Sequence, residues 1–264
     1  MDINLKALIL NSGMGTRMSG MTSNIPKCLV RLADGDTILE RQLRQLRTAG
    51  IRNVVMTTGY LAETIEEACA RFADSFADNS SDGSSDSFPG SSSPKMNFEF
   101  VHNPDYSSTN YIYSIYLARE KLRGDIIKLH GDLVFDDELI SDMLSQKDNC
   151  MAVSDERPLP EKDFKAVIHG GKVTRVDIHT FENALYAQPI YKLSAQAWAL
   201  WLDEIVHFCE SDIKNCYSEE AFNKISDKIS IFPYNVKMRL CMEIDTPEDL
   251  AIANKELSDT GEHL

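Results

Sequence analysis

Residues 8–32, LILNSGMGTRMSGMTSNIPKCLVRL, constrain this chain more than any other stretch. The apolar run Ala7 to Leu10 reads as a short buried strand. It breaks into a loop holding Gly13, Gly15 and Arg17, and Lys27 follows Pro26. Glycines let backbone N–H groups come close to a phosphate because no Cβ stands in the way. Arg17 and Lys27 can then neutralise the charge of a nucleoside triphosphate. Two familiar phosphate loops do not fit: the dinucleotide fingerprint asks for a third glycine where this chain has Met18, and the Walker loop asks for a terminal Gly-Lys-Ser/Thr that is absent. The plain alternative is a glycine turn with two surface cations.

Downstream, strand and helix patterns alternate, which predicts an α/β fold with a mostly parallel, Rossmann-like mixed sheet and helices on both faces. Thr37 to Ala49 is apolar at helical spacing and ends at Gly50; Asn53 to Thr58 reads as a strand with Gly59 at its C-terminal end, and Leu61 to Phe72 as a helix. Met96 to Val101 and Asp125 to Leu129 are further strands, with a helix over Tyr111 to Leu122 between them. The later pattern is looser. Lys165 to Ile168 and Lys172 to Asp177 flank Gly170-Gly171, a hairpin signal. Helices are expected over Ser194 to Cys209, Ser218 to Ile225 and Thr246 to Leu257. The whole chain, 1–264, is expected to form one domain, interrupted at 74–94 by a Ser/Asp/Gly/Pro insertion too polar to fold by itself.

Composition excludes several classes. A net charge of −14 leaves no basic stripe for a nucleic-acid backbone or an anionic membrane. The six cysteines show no C-x-x-C pair, so buried thiols in a reducing compartment are expected, and the apolar start is too short for a signal peptide. The expectation is a cytoplasmic protein.

Two aspartates carry the remaining chemistry. Asp132 follows an apolar strand in LHGDLVFDDELI, where ligands of open parallel sheets bind, and a carboxylate there can hold a hard divalent cation. A turn or cap role is as natural for it. Asp245, in CMEIDTPEDL, precedes a helix that Thr246 can cap, which leaves its carboxylate free. Among the histidines only His130, beside Asp132, stands near this chemistry.

With these residues in order, the chain resembles the bacterial nucleotidyltransferases of the sugar-nucleotide superfamily, especially the phosphocholine and phosphonate cytidylyltransferases, over nearly its whole length apart from the insertion. The resemblance implies a small acceptor-binding lobe beside the sheet. It implies that Gly13, Gly15, Thr16, Arg17 and Lys27 bind the triphosphate and that Asp132 and Asp245 hold Mg²⁺. NPDYSSTNYIYSIYLA matches the segment bordering base and acceptor and points to Asn110 and Ser114. The loop departs from the usual Ala-Ala-Gly or Ala-Gly-Gly opening: Asn11 and Ser12 place polar groups near the phosphates or base, and Gly59 joins them as a nucleotide-binding candidate. The activity implied is transfer of CMP from CTP to a phosphorylated or phosphono amino alcohol, phosphocholine first and 2-aminoethylphosphonate second, with release of pyrophosphate. A sugar-1-phosphate nucleotidyltransferase and a non-catalytic nucleotide-binding regulator are the alternatives.

The acceptor side is open. Lys165 is a candidate cation for the acceptor, or else a solvated strand lysine. A choline-like group needs aromatic faces and a carboxylate. Tyr186 and Tyr191 with Asp177 are the candidates, while Trp198 and Trp201, at i and i+3 of one helix, fit a core role. An apolar face over Ala195 to Cys209 would suit a homodimer.

Overall fold

The computed structural model describes residues 5–18, 20–75 and 95–261. From residue 76 onward the serine-rich segment lies outside the described residues, whereas Asp74 and Ser75 close a helix instead of opening the insertion. The first half runs β1 (Leu5–Asn11), α1 (Ile38–Thr48), β2 (Asn53–Thr58), α2 (Ala62–Ser75), β3 (Asn97–His102), α3 (Tyr111–Ala118) and β4 (Asp125–His130). The second half runs β5 (Leu133–Phe135), α4 (Leu139–Ser145), β6 (Cys150–Ser154), β7 (Lys165–His169), β8 (Lys172–Asp177), β9 (Ala184–Leu193), α5 (Ala195–Glu210), α6 (Ser218–Ile225), β10 (Phe232–Asn235), β11 (Cys241–Glu243) and α7 (Pro247–Gly261).

The main sheet has the order β10-β6-β9-β4-β1-β2-β3. β1 pairs in parallel with β2 and β4, β2 with β3, and β6 with β10, while β9 alone runs against its neighbours β4 and β6. The fold is therefore α/β with a mostly parallel mixed sheet, and its helices cover both faces. β1 shows why its sequence reads as an unbroken apolar run: Leu8 and Leu10 pack toward α3, α5 and α6, and Ala7 and Ile9 toward α1, α2 and α4. Local signals agree with this packing. Thr37 and Glu40 form a reciprocal capping box at the start of α1, and Gly50, at φ 87°, ends it.

Two features position the site. The chain leaves β1 toward β2 on one side, and β4 lies on the other, so the C-terminal ends of β1 and β4 flank a switch point in strand order. A short antiparallel ribbon, β5 with β11, then crosses beyond that edge. Ile244 donates its N–H to the Asp132 carbonyl at 2.9 Å, which sets Asp245 next to Asp132. β5 is three residues long between two turns, and periodicity gives no sign of it.

The hairpin β7–β8 turns through Gly170 and Gly171 at φ 57° and 76°, as an I′-type turn requires. It pairs with β9 and packs on α6, forming the small lobe expected beside the sheet, but it shares one core with β1, β9 and α5. The apolar face of α5 also belongs to that core: Ala197, Trp198, Trp201, Ile205, Phe208 and Cys209 are buried within the chain, so this face is not left over for a dimer. All six cysteines are free and buried. Among the described residues no helix is long and apolar enough to cross a membrane.

Candidate active site

The loop after β1, the turn after β4 and the segment after β11 meet in one cleft. Asn11, Gly13, Gly15, Thr16, Arg17, Lys27, Gly131, Asp132 and Asp245 line it. Close backbone approach builds this corner. Gly131 donates its N–H to the Leu10 carbonyl at 3.0 Å, and a Cβ on Gly131 would lie 1.6 Å from the Asn11 Oδ1. Gly15 sits at φ 62° against the Lys27 stem, where a side chain would be strained. Around Gly13 nothing lies within 4 Å of an added Cβ, so that glycine faces the open cleft.

Lys27 is the centre of the charge. Its Nζ donates to Asp132 Oδ2 at 2.6 Å and also to Asp245 Oδ1, and the more exposed Arg17 reaches the same Asp245 oxygen at 2.9 Å. Burial alone would push the Lys27 ammonium down, but the two carboxylates outweigh it and hold it up to about 12. Burial likewise works against ionised Asp132, and Lys27 and His130 overcome it and lower its carboxyl. Asp132 Oδ1 is buried and has no hydrogen-bond partner among the described residues. Two carboxylates converge on one point with an oxygen to spare, a donor set suited to a hard divalent cation.

A second hollow continues from the first through Leu10, Gly13 and Asp132, and is walled by Ser12, Asn103, Tyr106, Asn110, Tyr111, Ser114 and His130. Asn110 caps α3, its Oδ1 accepting the Tyr111 N–H at 2.8 Å. Ser114 is fully buried and accepts a hydrogen bond from Asn103 Nδ2 at 3.0 Å. Asn103 also donates to Thr109 and accepts from the Asp105 N–H, so this residue, overlooked by pattern, sets the entry to α3. His130 Nδ1 lies 2.8 Å from Glu243 Oε1. Burial and the nearby Asp132 push the Glu243 carboxyl up, against the opposing pull of His130. His130, Asp132 and Glu243 present one ligand atom each within 4.8 Å of one another. Glu243 is legible only after β11 is known to lie beside β5.

Several expected residues take other places. Gly59 lines neither hollow but stands behind them, where a Cβ would meet the Ser12 carbonyl at 2.5 Å. Lys165 is neither solvated nor part of the cleft lining. It is fully buried and donates to the carbonyls of Pro160 and Asp163 at 2.6 and 3.0 Å. Asp163, in turn, accepts from Tyr186 Oη at 3.3 Å, and burial and the charge of Asp245 push its carboxyl up; Tyr186, like Lys165 and Asp163, lines neither hollow. Asp177 binds the N–H groups of His179 and Thr180 and the Arg175 guanidinium, which overcome the effect of burial and hold its carboxyl down at about 2; it is a turn residue. Tyr191 is fully buried, with its ring against Lys128 Nζ.

An α/β sheet with a glycine-rich, cationic loop facing two aspartates beyond its strand ends is a nucleotidyltransferase arrangement. The chain belongs to the family of MobA-like NTP transferase domains, matched over residues 7–193. Among curated proteins it is similar to a CMP-5'-(3-aminopropyl)phosphonate synthase of Streptomyces rubellomurinus, 32% identical over 155 residues, which are 59% of this chain and 21% of that protein. It is also similar to a choline-phosphate cytidylyltransferase of Streptococcus pneumoniae, 28% identical over 47% of this chain and 43% of the relative. The chain thus spans well under two thirds of these relatives' length. The solved structure of a CTP:phosphocholine cytidylyltransferase from Streptococcus pneumoniae shares the fold, with a TM-score of 0.75 at 19% identity over 97% of this chain and all of that one. An inositol-1-phosphate CTP transferase from T. maritima does so at 0.71 and 17% identity, covering 96% of this chain and 95% of that one.

Proposed function

We propose that this chain transfers CMP from CTP to a phosphate or phosphonate oxygen of a small amine-bearing acceptor, phosphocholine or 2-aminoethylphosphonate, and releases pyrophosphate. The observation that carries the reading is Lys27 held between Asp132 and Asp245 at the mouth of the glycine loop. The base and the acceptor class rest on the relatives, which include a 2-aminoethylphosphonate cytidylyltransferase of Lancefieldella rimae, 30% identical over 51% of this chain and 45% of the relative.

In this reading the glycine loop backbone and Thr16 cradle the triphosphate, Asn11 and Ser12 border the base, and Asn110 and Ser114, in the second hollow, border both the base and the acceptor. The acceptor oxygen attacks the α-phosphorus in line, forming the new P–O bond as the bond to the β-phosphate breaks and pyrophosphate departs with the electron pair. No covalent intermediate is needed, so the residues mainly position the reactants and neutralise charge. Lys27 and Arg17 face the triphosphate and offset the charge that develops on the leaving group. Asp132 and Asp245 are the residues that would hold Mg²⁺, which supplies Lewis-acid neutralisation of the phosphates.

The test is a pyrophosphate-release screen crossing the four NTPs with phosphocholine, phosphoethanolamine, 2-aminoethylphosphonate and sugar 1-phosphates. Release with CTP and an amine-bearing acceptor supports the reading. Release with sugar 1-phosphates alone would replace it with sugar-nucleotide synthesis, and no release with any pair would leave a non-catalytic binder.

A further inference from the structure

Behind the second hollow lies a fully buried cage already filled by the chain itself. Lys128 and Glu219 are both fully buried, with Nζ 2.8 Å from Glu219 Oε1. The same ammonium lies 4.6 Å from the Tyr191 ring centre, 5.4 Å from Trp201 and 5.5 Å from Tyr111. Tyr111 Oη donates to the other Glu219 oxygen, which also accepts from Ser218 Oγ at 3.1 Å. Burial disfavours ionised Glu219, yet the Lys128 ammonium 2.8 Å away, with His130 and Tyr111, holds its carboxyl down to about 2.

This cage adjoins the site. Lys128 and His130 are two residues apart on the same face of β4, roughly 7 Å along the strand. Tyr111 joins the two environments: its ring meets His130 at 4.8 Å and it walls the second hollow. Three ring faces and a buried carboxylate are the groups that recognise a quaternary ammonium. Here they are neutralised in advance. The carboxylate left beside the hollow, Glu243, whose Oε1 lies 2.8 Å from His130 Nδ1, suits the N–H donors of a primary ammonium, and a trimethylammonium has none to offer.

We propose that Lys128 is a specificity-determining residue: its ammonium occupies the aromatic–carboxylate cage behind the acceptor hollow and so excludes acceptors bearing a quaternary ammonium, leaving phosphorylated or phosphono primary amines. This rests on the cytidylyl-transfer reading and narrows it.

The wild type is assayed with CTP and phosphocholine, phosphoethanolamine or 2-aminoethylphosphonate. The expected kcat/KM for phosphocholine is at least about tenfold below the better primary amine, as a site built for N–H donors demands. Lys128→Ala is expected to shift that ratio toward phosphocholine and to gain a rise in Tm with tetramethylammonium chloride that sodium chloride does not give; a purely structural lysine would show neither. If Lys128→Ala does not fold, Lys128→Ser, whose hydroxyl leaves a polar group facing Glu219, takes its place with the same two readouts, and Glu219 is kept because the cage needs its carboxylate. Wild type using phosphocholine as well as or better than the primary amines overturns the proposal, as does a folded variant with an unchanged ratio and no response to tetramethylammonium. Absence of turnover with every acceptor defeats the cytidylyl-transfer reading instead, and the tetramethylammonium arm still decides the cage.

Discussion

Lys27 and Asp132 are 105 residues apart in the chain, and their charged groups are 2.6 Å apart in the fold. The contact exists because two independent loops leave neighbouring strands, β1 and β4, at the same edge. Asp245 joins them through the β5–β11 ribbon, so the three side chains come from three remote parts of the sequence.

In the proposed reaction, Lys27→Ala removes the cation that faces the triphosphate. Loss of one preorganised charge partner at a reacting phosphate is expected to lower kcat by about 10²–10³-fold, with Lys27→Arg recovering little because the planar fork does not replace a point charge between two carboxylates. Steady-state pyrophosphate release checks this. A variant within about twofold of wild type would remove Lys27 from the chemistry.

The same cluster sets a pH response. Lys27 is raised from its ordinary 10.5 to about 12, so its stabilising contribution is complete below 10.5 and disappears as pH rises through about 12. Asp132 is lowered from its ordinary 3.8, so its contribution is complete above 3.8 and is lost as pH falls through its lower folded value. The Tm difference between wild type and Lys27→Met should therefore stay level from about pH 5 to about pH 9 and shrink beyond both ends. A difference that changes steadily across neutral pH would contradict the assignment.

Two glycines of the cleft should behave in opposite ways. Gly131→Ala puts a Cβ 1.6 Å from Asn11 Oδ1 and so makes the Asn11 side chain swing aside, and thermal melting should show a lowered Tm. Gly13→Ala meets no atom within 4 Å, so its Tm should match wild type while CTP binding weakens, because the methyl enters space reserved for phosphate. Unchanged CTP affinity in Gly13→Ala would move the triphosphate elsewhere.

Asp177 offers a control away from the chemistry. Its carboxyl, held at about 2 by the Arg175 guanidinium and the turn N–H groups, stabilises the fold above its ordinary 3.8 and ceases to as pH falls through that range. Asp177→Asn should cost about 1 kcal/mol at neutral pH, typical of a partly exposed hydrogen-bonded turn, with no change in turnover. Urea titration at pH 7 and pH 3 measures both parts.

The legible portion of this protein is the portion governed by local rules. β2 and α6 have the bounds that period and turn residues suggest, and the capping box of α1 is written in Thr37 and Glu40. The loop residues and both aspartates line one cleft, although nothing in the sequence by itself brings the two aspartates together. The acceptor side reads poorly because its residues act through burial. No pattern in the sequence singles out Lys128 or Glu219, which lie 91 positions apart; only the fold shows them sealed together. Tyr191 and Asp177, attractive as ligands for an ammonium, are a wall of that cage and a turn cap. Lys165 likewise becomes a buried anchor for the loop bearing Asp163.

The central claim is that Lys27, Asp132 and Asp245 gather around one nucleotide with a divalent cation. Calorimetric titration of CTP into wild type and Asp132→Asn, each with and without Mg²⁺, tests it most directly. The account predicts tight binding only for wild type with Mg²⁺, and an affinity at least about tenfold weaker in the variant or without the metal. Equal CTP affinity under all four conditions would contradict it.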